Sequence, residues 1–336
     1  NEWGSDPNRL PDIEIRGKTS IIGMKEELEA DPNQPLFILD GFETTLQTII
    51  DLDMDRVASI TILKDAASTA IYGSKAANGV VVVETKTPAQ GKLRVTYSGN
   101  FNFQLPDLSS YNLMNAQEKV AFEEYAGRYK VSAWGGTFAG GEQLQQLHND
   151  HLRSVARGVD TYWLSKPLQT SFNHKHSLSV DGGSDNFRFG IQLSYNNEDG
   201  VMKESLREII SGNIDLIYRM EKFQFSNKFS INVTDIENPV VPFQAYAEAN
   251  PYFKKRNKDG IVEKWLEKND YFEAFNPLWN DNLNSRNEGK NVSLSNYFVA
   301  EYFPTQEWRI RARLGITYGN NDAEVFYSPE DTRFED

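Results

Sequence analysis

The sequence predicts a mainly β protein in which a small α/β domain, residues 1–90, precedes about seven antiparallel strands of membrane-crossing type over residues 91–336, an incomplete β-barrel. Three observations predict this. The pattern changes abruptly near Leu93, apolar and polar residues alternate strictly over long segments after it, and the connections between those segments are short and long by turns.

In the first part, short apolar runs at Leu36 to Leu39, Ile60 to Leu63 and Val80 to Glu84 read as strands around a small-residue helix, Ala66 to Tyr72. Asp65 is placed to cap that helix and Gly73 to end it. In the second part, Leu93, Val95, Tyr97, Phe101 and Phe103 share one face and Arg94, Thr96, Ser98, Asn100 and Asn102 the other. Six further segments repeat the period of two: His176 to Val180, Phe187 to Tyr195, Ile210 to Tyr218, Phe223 to Val233, Val292 to Tyr302 and Trp308 to Tyr318. Most approach the roughly 9 to 11 residues that a tilted strand needs to cross a bilayer, where strands of soluble domains average about 5 to 6. Asn227 and Asn296 break the pattern by falling on apolar faces.

The connections 182–186, 219–222 and 304–307 are short, and 104–170, 196–205 and 235–291 are longer. A barrel with tight turns at one rim and extended loops at the other produces this alternation, because consecutive connections lie at opposite ends. A soluble β-sandwich is the alternative that periodicity leaves open.

Composition excludes several classes. Of 336 residues, 35 are Lys or Arg and 48 Asp or Glu, and a net charge of -13 repels phosphate backbones, so nucleic acid is not an expected partner. Cysteine is absent, which removes disulfides, thiolate metal sites and a cysteine nucleophile. No run of about 18 apolar residues is present, so no transmembrane helix is expected, a rule that does not reach barrel strands. Asn1 to Asp12 is polar, with Pro7 and Pro11, and is not a signal peptide; an export signal is expected upstream.

Catalytic signals are faint. Gly73-Ser74-Lys75 has neither the spacing nor the order of a phosphate-binding loop, and no GxSxG occurs. His148 with His151, and His174 with His176, lack a clear third metal ligand and read as exposed or girdle histidines. Glu123 and Glu124 are adjacent and point apart on a helix, which disfavours a hydrolytic carboxylate pair. The chain is therefore not expected to be an enzyme, and no cofactor or metal is expected.

ILKDAASTAIYGSKAANGVVVVETK, Ile62 to Lys86, closely resembles the hallmark of the SusC/RagA family of TonB-linked outer-membrane transporters. PLFILDGF at Pro35 to Phe42 and IRG at Ile15 to Gly17 resemble that family's plug, and GGSDN at Gly182 to Asn186 and ANPYF at Ala249 to Phe253 resemble its early barrel. The resemblance implies a TonB-dependent receptor plug inside the barrel and active import of an oligosaccharide or peptide across the bacterial outer membrane. It implies as partners TonB with ExbB and ExbD, a SusD-like surface lipoprotein as lid, and outer-membrane lipid. Plugged transporters have about 22 strands, so the rest of the barrel is expected in sequence outside this chain. Two other classes remain: a secreted β-sandwich carbohydrate-active enzyme, and a structural or adhesin barrel.

Within the hallmark, Lys64, Asp65, Tyr72, Gly73 and Gly79 read as structural residues of the plug, the two glycines relieving turns. The connection 235–291 carries Phe243, Tyr246, Tyr252, Phe253, Trp265, Tyr271, Phe272, Phe275 and Trp279, too many aromatics for an ordinary solvated loop. Phe243, Tyr246, Tyr252, Phe253, Trp265, Tyr271 and Trp279 are the candidates for contact with lid or ligand, and a private core of the loop is the equally weighted alternative. Arg309, Arg311 and Arg313 alternate toward the lumen, where pairing with plug carboxylates is expected.

Overall fold

The computed structural model describes residues 6–9, 11, 13, 15, 33–130 and 141–335. Arg16 and Gly17 of the IRG segment lie outside the described residues, as does most of Asn1 to Asp12.

The first part is a four-stranded sheet of order β2-β1-β4-β3, with β1 at Leu36–Leu39, β2 at Phe42–Thr44, β3 at Val57–Leu63 and β4 at Val80–Thr85. Strands β1 and β2 form a hairpin through Asp40 (φ 52°) and Gly41 (φ 87°), the Asp-Gly pair suited to a two-residue turn with positive φ at both positions. Helix α1 (Leu46–Ile50) is capped by the Thr45 hydroxyl, which accepts from Thr48 N at 3.2 Å. Its Leu46 and Ile49 bury against Phe37, Leu39, Val81 and Val83.

The helix expected over Ala66 to Tyr72 is shorter than its pattern suggests. Helix α2 (Ala66–Thr69) passes into a 3₁₀ stretch, Ala70–Ala76, because Gly73 adopts φ 71°, ψ -156° and kinks the chain. Gly79 has φ 97°, and a Cβ there would lie 3.2 Å from the Leu63 carbonyl oxygen. Tyr72 packs on the buried Ile38, Ala76 and Val80, and Lys75 pairs with Glu43 at 2.8 Å on the surface. The Asp65 carbonyl starts the helix by accepting from Thr69 N at 3.0 Å.

The second part is one seven-stranded antiparallel sheet, a single layer rather than a sandwich. Its strands are β5 (Gly91–Gln104), β6 (Ser171–Gly183), β7 (Phe187–Asp199), β8 (Leu206–Met220), β9 (Phe223–Glu237), β12 (Arg286–Tyr302) and β13 (Ile310–Phe326), each paired with the next. Strands β10 (Trp265–Lys268) and β11 (Glu273–Phe275) form a separate ribbon in the connection after β9. The connections 105–170, 200–205 and 238–285 lie at one end, the cap end, and 184–186, 221–222 and 303–309 at the other, the turn end.

The strands run longer than expected, 13 to 17 residues, because the pairing continues beyond the apolar band toward the cap end. This shortens the connection expected at 196–205 to 200–205, so it is briefer than 303–309 and the strict alternation of lengths does not survive at that pair. Trp308, expected in the last strand, lies in the connection before it.

The sheet is inside out relative to a soluble domain. On β8, Ile210 is 56% exposed and Arg207 3%; the even positions face outward and the odd ones face the plug. Aromatic rings bracket the outward apolar band. Phe187, Phe189, Phe223, Phe225 and Tyr302 stack near the turn end, and Phe101, Phe103, Phe172 and Tyr195 lie toward the cap end. His174 and His176 sit within the second group, the Tyr97 hydroxyl lying 2.7 Å from His176 Nδ1. From Phe187 to Tyr195 the strand covers about 26 Å at roughly 3.3 Å per residue, enough for a tilted strand to cross most of a band about 25 Å tall. The two polar breaks answer each other. Asn227 and Asn296 occupy facing strands and exchange side-chain amide hydrogen bonds of 3.0 and 3.3 Å, which satisfies groups that an apolar surface would otherwise leave unmade.

Candidate functional site: the seam between plug and wall, and the cap

The first part sits against the polar face of the seven strands; among the described residues Asn8 ties it to the cap ends of β8 and β9, its Nδ2 donating to the Leu206 and Glu237 carbonyls at 3.1 and 2.8 Å, and two larger holds lie below. The first is the segment Asp51 to Arg56, between α1 and β3. Arg207 Nη2 donates to both Asp51 carboxylate oxygens at 2.8 and 2.9 Å. Asp53, almost wholly buried, accepts from Lys175 Nζ at 2.5 Å, Ser177 Oγ at 2.9 Å and Gln192 Nε2 at 2.7 Å. Arg56 donates to Asn213 and lies 3.5 Å from Asp215. Three strands thus converge on six residues, in a site dry enough that unpairing either sign of charge is costly.

The second hold is the turn Asp40 to Phe42. Lys228 Nζ pairs with Asp40 at 2.8 Å, and Arg313 Nη1 donates to the Gly41 carbonyl at 3.2 Å. Phe42 stacks on Tyr297, centroids 4.2 Å apart and planes inclined by 13°. Gly315 makes room for it: a Cβ there would meet the Phe42 ring at 2.9 Å and Tyr297 at 3.0 Å. Gly315→Ala is therefore expected to unseat the turn by about 1 to 3 kcal/mol through overpacking, measured as faster protease cleavage of the first part in the folded protein. Phe42→Ala in the same chain should remove the clash, so that the double variant falls short of the sum of the singles.

The arginine triplet departs from expectation. Arg309 and Arg311 pair with Glu301 on the neighbouring strand, Arg311 Nε at 2.6 Å, rather than with plug carboxylates; Arg313 reaches the plug, and it does so through a carbonyl. The local pairing wins because β12 and β13 are in register, which places Arg311 directly across from Glu301.

At the cap end, residues 105–130 and 141–170 fold on residues 238–285. Helix α3 (Ala116–Tyr125), with a capping box between Asn115 and Glu118, contributes Ala116 and Val120 to a core with Trp163, Val241, Tyr246, Tyr252 and Phe253. Helix α5 (Phe243–Glu248) carries Tyr246 into it. Trp163 Nε1 donates to the Asn250 carbonyl at 2.9 Å, and Thr161 N to the Pro251 carbonyl at 2.8 Å. Residues 327–335 join through Trp279 Nε1, which donates to the Glu330 carbonyl at 3.1 Å, and through Asn280 of helix α6 (Pro277–Asp281).

This places the aromatic candidates. Tyr246, Tyr252 and Phe253 are 0%, 1% and 7% exposed and build the cap's interior, so they offer no face to a ligand or lid. Phe243, Trp265 and Trp279 are half-buried, and Tyr271 is exposed. Aromatic count alone does not separate these roles, because two connections distant in sequence supply one another's cover.

A buried polar network lies beside that core. Tyr129 Oη donates to Glu123 at 2.7 Å and lies 2.8 Å from His151 Nδ1, Tyr252 Oη donates to Glu123 at 2.9 Å, and Arg128 pairs with Glu267 at 2.8 Å. His148 and His151, expected at the surface, are both buried here on helix α4 (Gly141–Ala156), stacked against Tyr129 and Tyr252. Burial, and then hydrogen bonding to Glu123, pushes the Tyr129 phenol up; burial and the Glu123 charge do the same for Tyr252. Burial, then the Arg128 and His148 charges, pushes His151 down to about 4.

A neutral His151 favours the folded cap above the ordinary imidazole range, and that contribution is lost as pH falls from about 6.5 to about 4, the unfolded cap taking the proton first. The loss amounts to about 3 kcal/mol at roughly 1.4 kcal/mol per pH unit. Glu267, raised by burial, works in the opposite direction over part of the range. Protection factors of the α4 amides, that is, exchange rates divided into the intrinsic rate at each pH, are expected to fall on acidification, and to do so less in His151→Gln; identical pH profiles of protection in the two proteins would refute the assignment.

The holds at Asp51 to Arg56 were not identified from sequence. A signal was present: Lys175, Arg207, Asp215 and Lys228 all occupy the polar parity of their strands, and a charge facing a lumen requires a partner. Among the described residues, no group of three or more His, Cys, Asp or Glu side chains is arranged to hold a metal ion.

Comparison with known proteins agrees with this geometry. Residues 3–80 match the model of the TonB-dependent Receptor Plug Domain family. TonB-dependent receptor P26 of Formosa agariphila is 26% identical over 96% of this chain and 31% of its own length. TonB-dependent receptor SusC of Bacteroides thetaiotaomicron is 26% identical over 66% of this chain and 20% of its own. The chain thus spans a fifth to a third of these relatives. The RagAB peptide importer in its open-open state superimposes with a TM-score of 0.75 at 19% identity, covering 97% of this chain and 38% of that one, a likeness of fold. With a receptor plug family matched at one end and receptors similar across plug and wall together, the chain is similar to SusC/RagA-like TonB-dependent receptors.

Proposed function

We propose that this chain supplies the plug, residues 1–90, and the adjoining barrel wall, residues 91–336, of a receptor that imports a nutrient across the bacterial outer membrane. The observation that carries the reading is the inverted seven-stranded sheet, apolar on its outward face and clasping a separately folded plug with its polar face. A wall of that kind suits lipid outside and a lumen inside, and a plug within it needs an external source of work to move. By likeness to the family, TonB with ExbB and ExbD supplies that work, and a SusD-like lipoprotein closes the cap end.

The cargo is an oligosaccharide or a peptide; the RagAB neighbour is named a peptide importer. Chemistry is not required of the chain, whose task is to bind, release and reseal. The interface suits this, since it is made of ion pairs and hydrogen bonds that water can replace during motion, with one aromatic stack rather than a continuous apolar seam.

The deciding experiment is uptake by cells expressing the full-length receptor, with oligosaccharides and oligopeptides offered separately, in the presence and absence of TonB. Uptake that requires TonB supports import, and the class taken up names the cargo. Absence of any TonB-dependent uptake would leave a structural or adhesin barrel as the reading.

A further inference from the structure

We infer that Asp53 and Arg56 form a gate, dividing the seam between the plug and strands β5 to β8 into an outer and an inner chamber that join when the two residues let go. The inference rests on the importer reading only in taking the seam as a route.

Two clefts lie along the same four strands. One, about 620 Å³, occupies the cap-end half, bounded by plug residues 50–54 and by Asn100, Asn102, Asn173 and Asn196 of the wall. The other, about 780 Å³, occupies the turn-end half, bounded by plug residues Asp55, Arg56, Ala58 and 86–88 and by Arg94, Thr96, Ser179 and Asp215. Asp53 lines the first, Arg56 the second, and the polar side chains between them are the ones these two hold: Lys175, Ser177, Gln192 and Asn213. The obstruction is a knot of side chains at mid-height, with no backbone strand crossing from plug to wall. Opening it therefore needs rotamer changes and rehydration of the charges rather than loss of pairing in the plug sheet. The hold at Asp40 to Phe42 lies on β9, β12 and β13, where neither cleft reaches, so it fixes the plug without closing this path.

The test uses the purified full-length receptor in planar lipid bilayers, with potassium chloride as the probe. The double variant Asp53→Asn with Arg56→Gln is expected to conduct at least tenfold more than the parent, and Asp40→Asn with Arg313→Gln to stay at the parent's level. Equal rises in both would mean general loosening of the plug, and no rise in the first would mean no gate; either overturns the inference. Should the first variant fail to assemble, single Asn100→Cys and Thr96→Cys substitutions decide the matter, with labelling of the parent receptor as the background; residues 1–336 hold no cysteine. A membrane-impermeant thiol reagent added at the cap side should modify position 100 at least tenfold faster than position 96, and equal rates would overturn the gate. None of these measurements involves TonB or cargo. A gated seam in a receptor without TonB-dependent uptake would therefore sink the importer reading and leave the gate standing.

Discussion

Replacing Asp53 with alanine is expected to weaken the seating of the plug by about 3 to 5 kcal/mol, the cost of removing one partner from a buried charge pair and leaving the other behind. Lys175 would lose its carboxylate, and the buried Ser177 and Gln192 an acceptor. Hydrogen exchange of the β3 and β4 amides in the full-length receptor checks the prediction, since those strands flank the segment that Asp53 pins. The complementary change, Lys175→Met, should cost less when combined with Asp53→Ala than the two singles added, because the double variant buries no unpaired charge. Protection within about 0.5 kcal/mol of the parent in Asp53→Ala would show that the contact is incidental, as exposed ion pairs often are.

The second large effect is expected at the cap. Tyr252→Ala removes a ring that is 1% exposed, packed 4.1 Å from His151 and 4.6 Å from Phe253 between centroids, together with a hydroxyl that donates to Glu123. The cavity alone is worth about 3 to 5 kcal/mol, and the buried carboxylate keeps a single phenol donor, Tyr129. Tyr252→Phe separates the two contributions and should cost about 1 to 3 kcal/mol. Tyr271→Ala, at an exposed ring of the same connection, should stay within about 0.5 kcal/mol of the parent. Exchange of the α3 and α4 amides reports all three. Similar losses at Tyr252 and Tyr271 would mean that the cap is not a folded unit. A cap that is rigid in this way presents a preformed surface at the end of the wall, so a partner docking there would not need to order two long loops.

The wall was legible residue by residue because its signal is local. A strand whose faces meet lipid and lumen must alternate, and Leu93 to Phe103 or Phe187 to Tyr195 carries that requirement in each dipeptide, whatever the rest of the chain does. The same locality let Gly73 and Gly79 mark the turns at which the structure has positive φ. Strand ends were less legible, since pairing continues past the apolar band into polar residues that resemble loop, as at Asn196 to Asp199.

By itself, then, the sequence determined the order of strands, which face of each turns outward and the family that the chain resembles, all of them properties of neighbouring residues. Only the tertiary structure decided that Asp53 meets Lys175 and Gln192, that Phe42 lies over Gly315, and that Tyr246 and Tyr252 are interior while Tyr271 is not. Those contacts join segments more than a hundred residues apart, or connections whose cover comes from one another. Periodicity tells a side chain which way to face, and the partner it finds there is chosen by register and packing across the whole molecule.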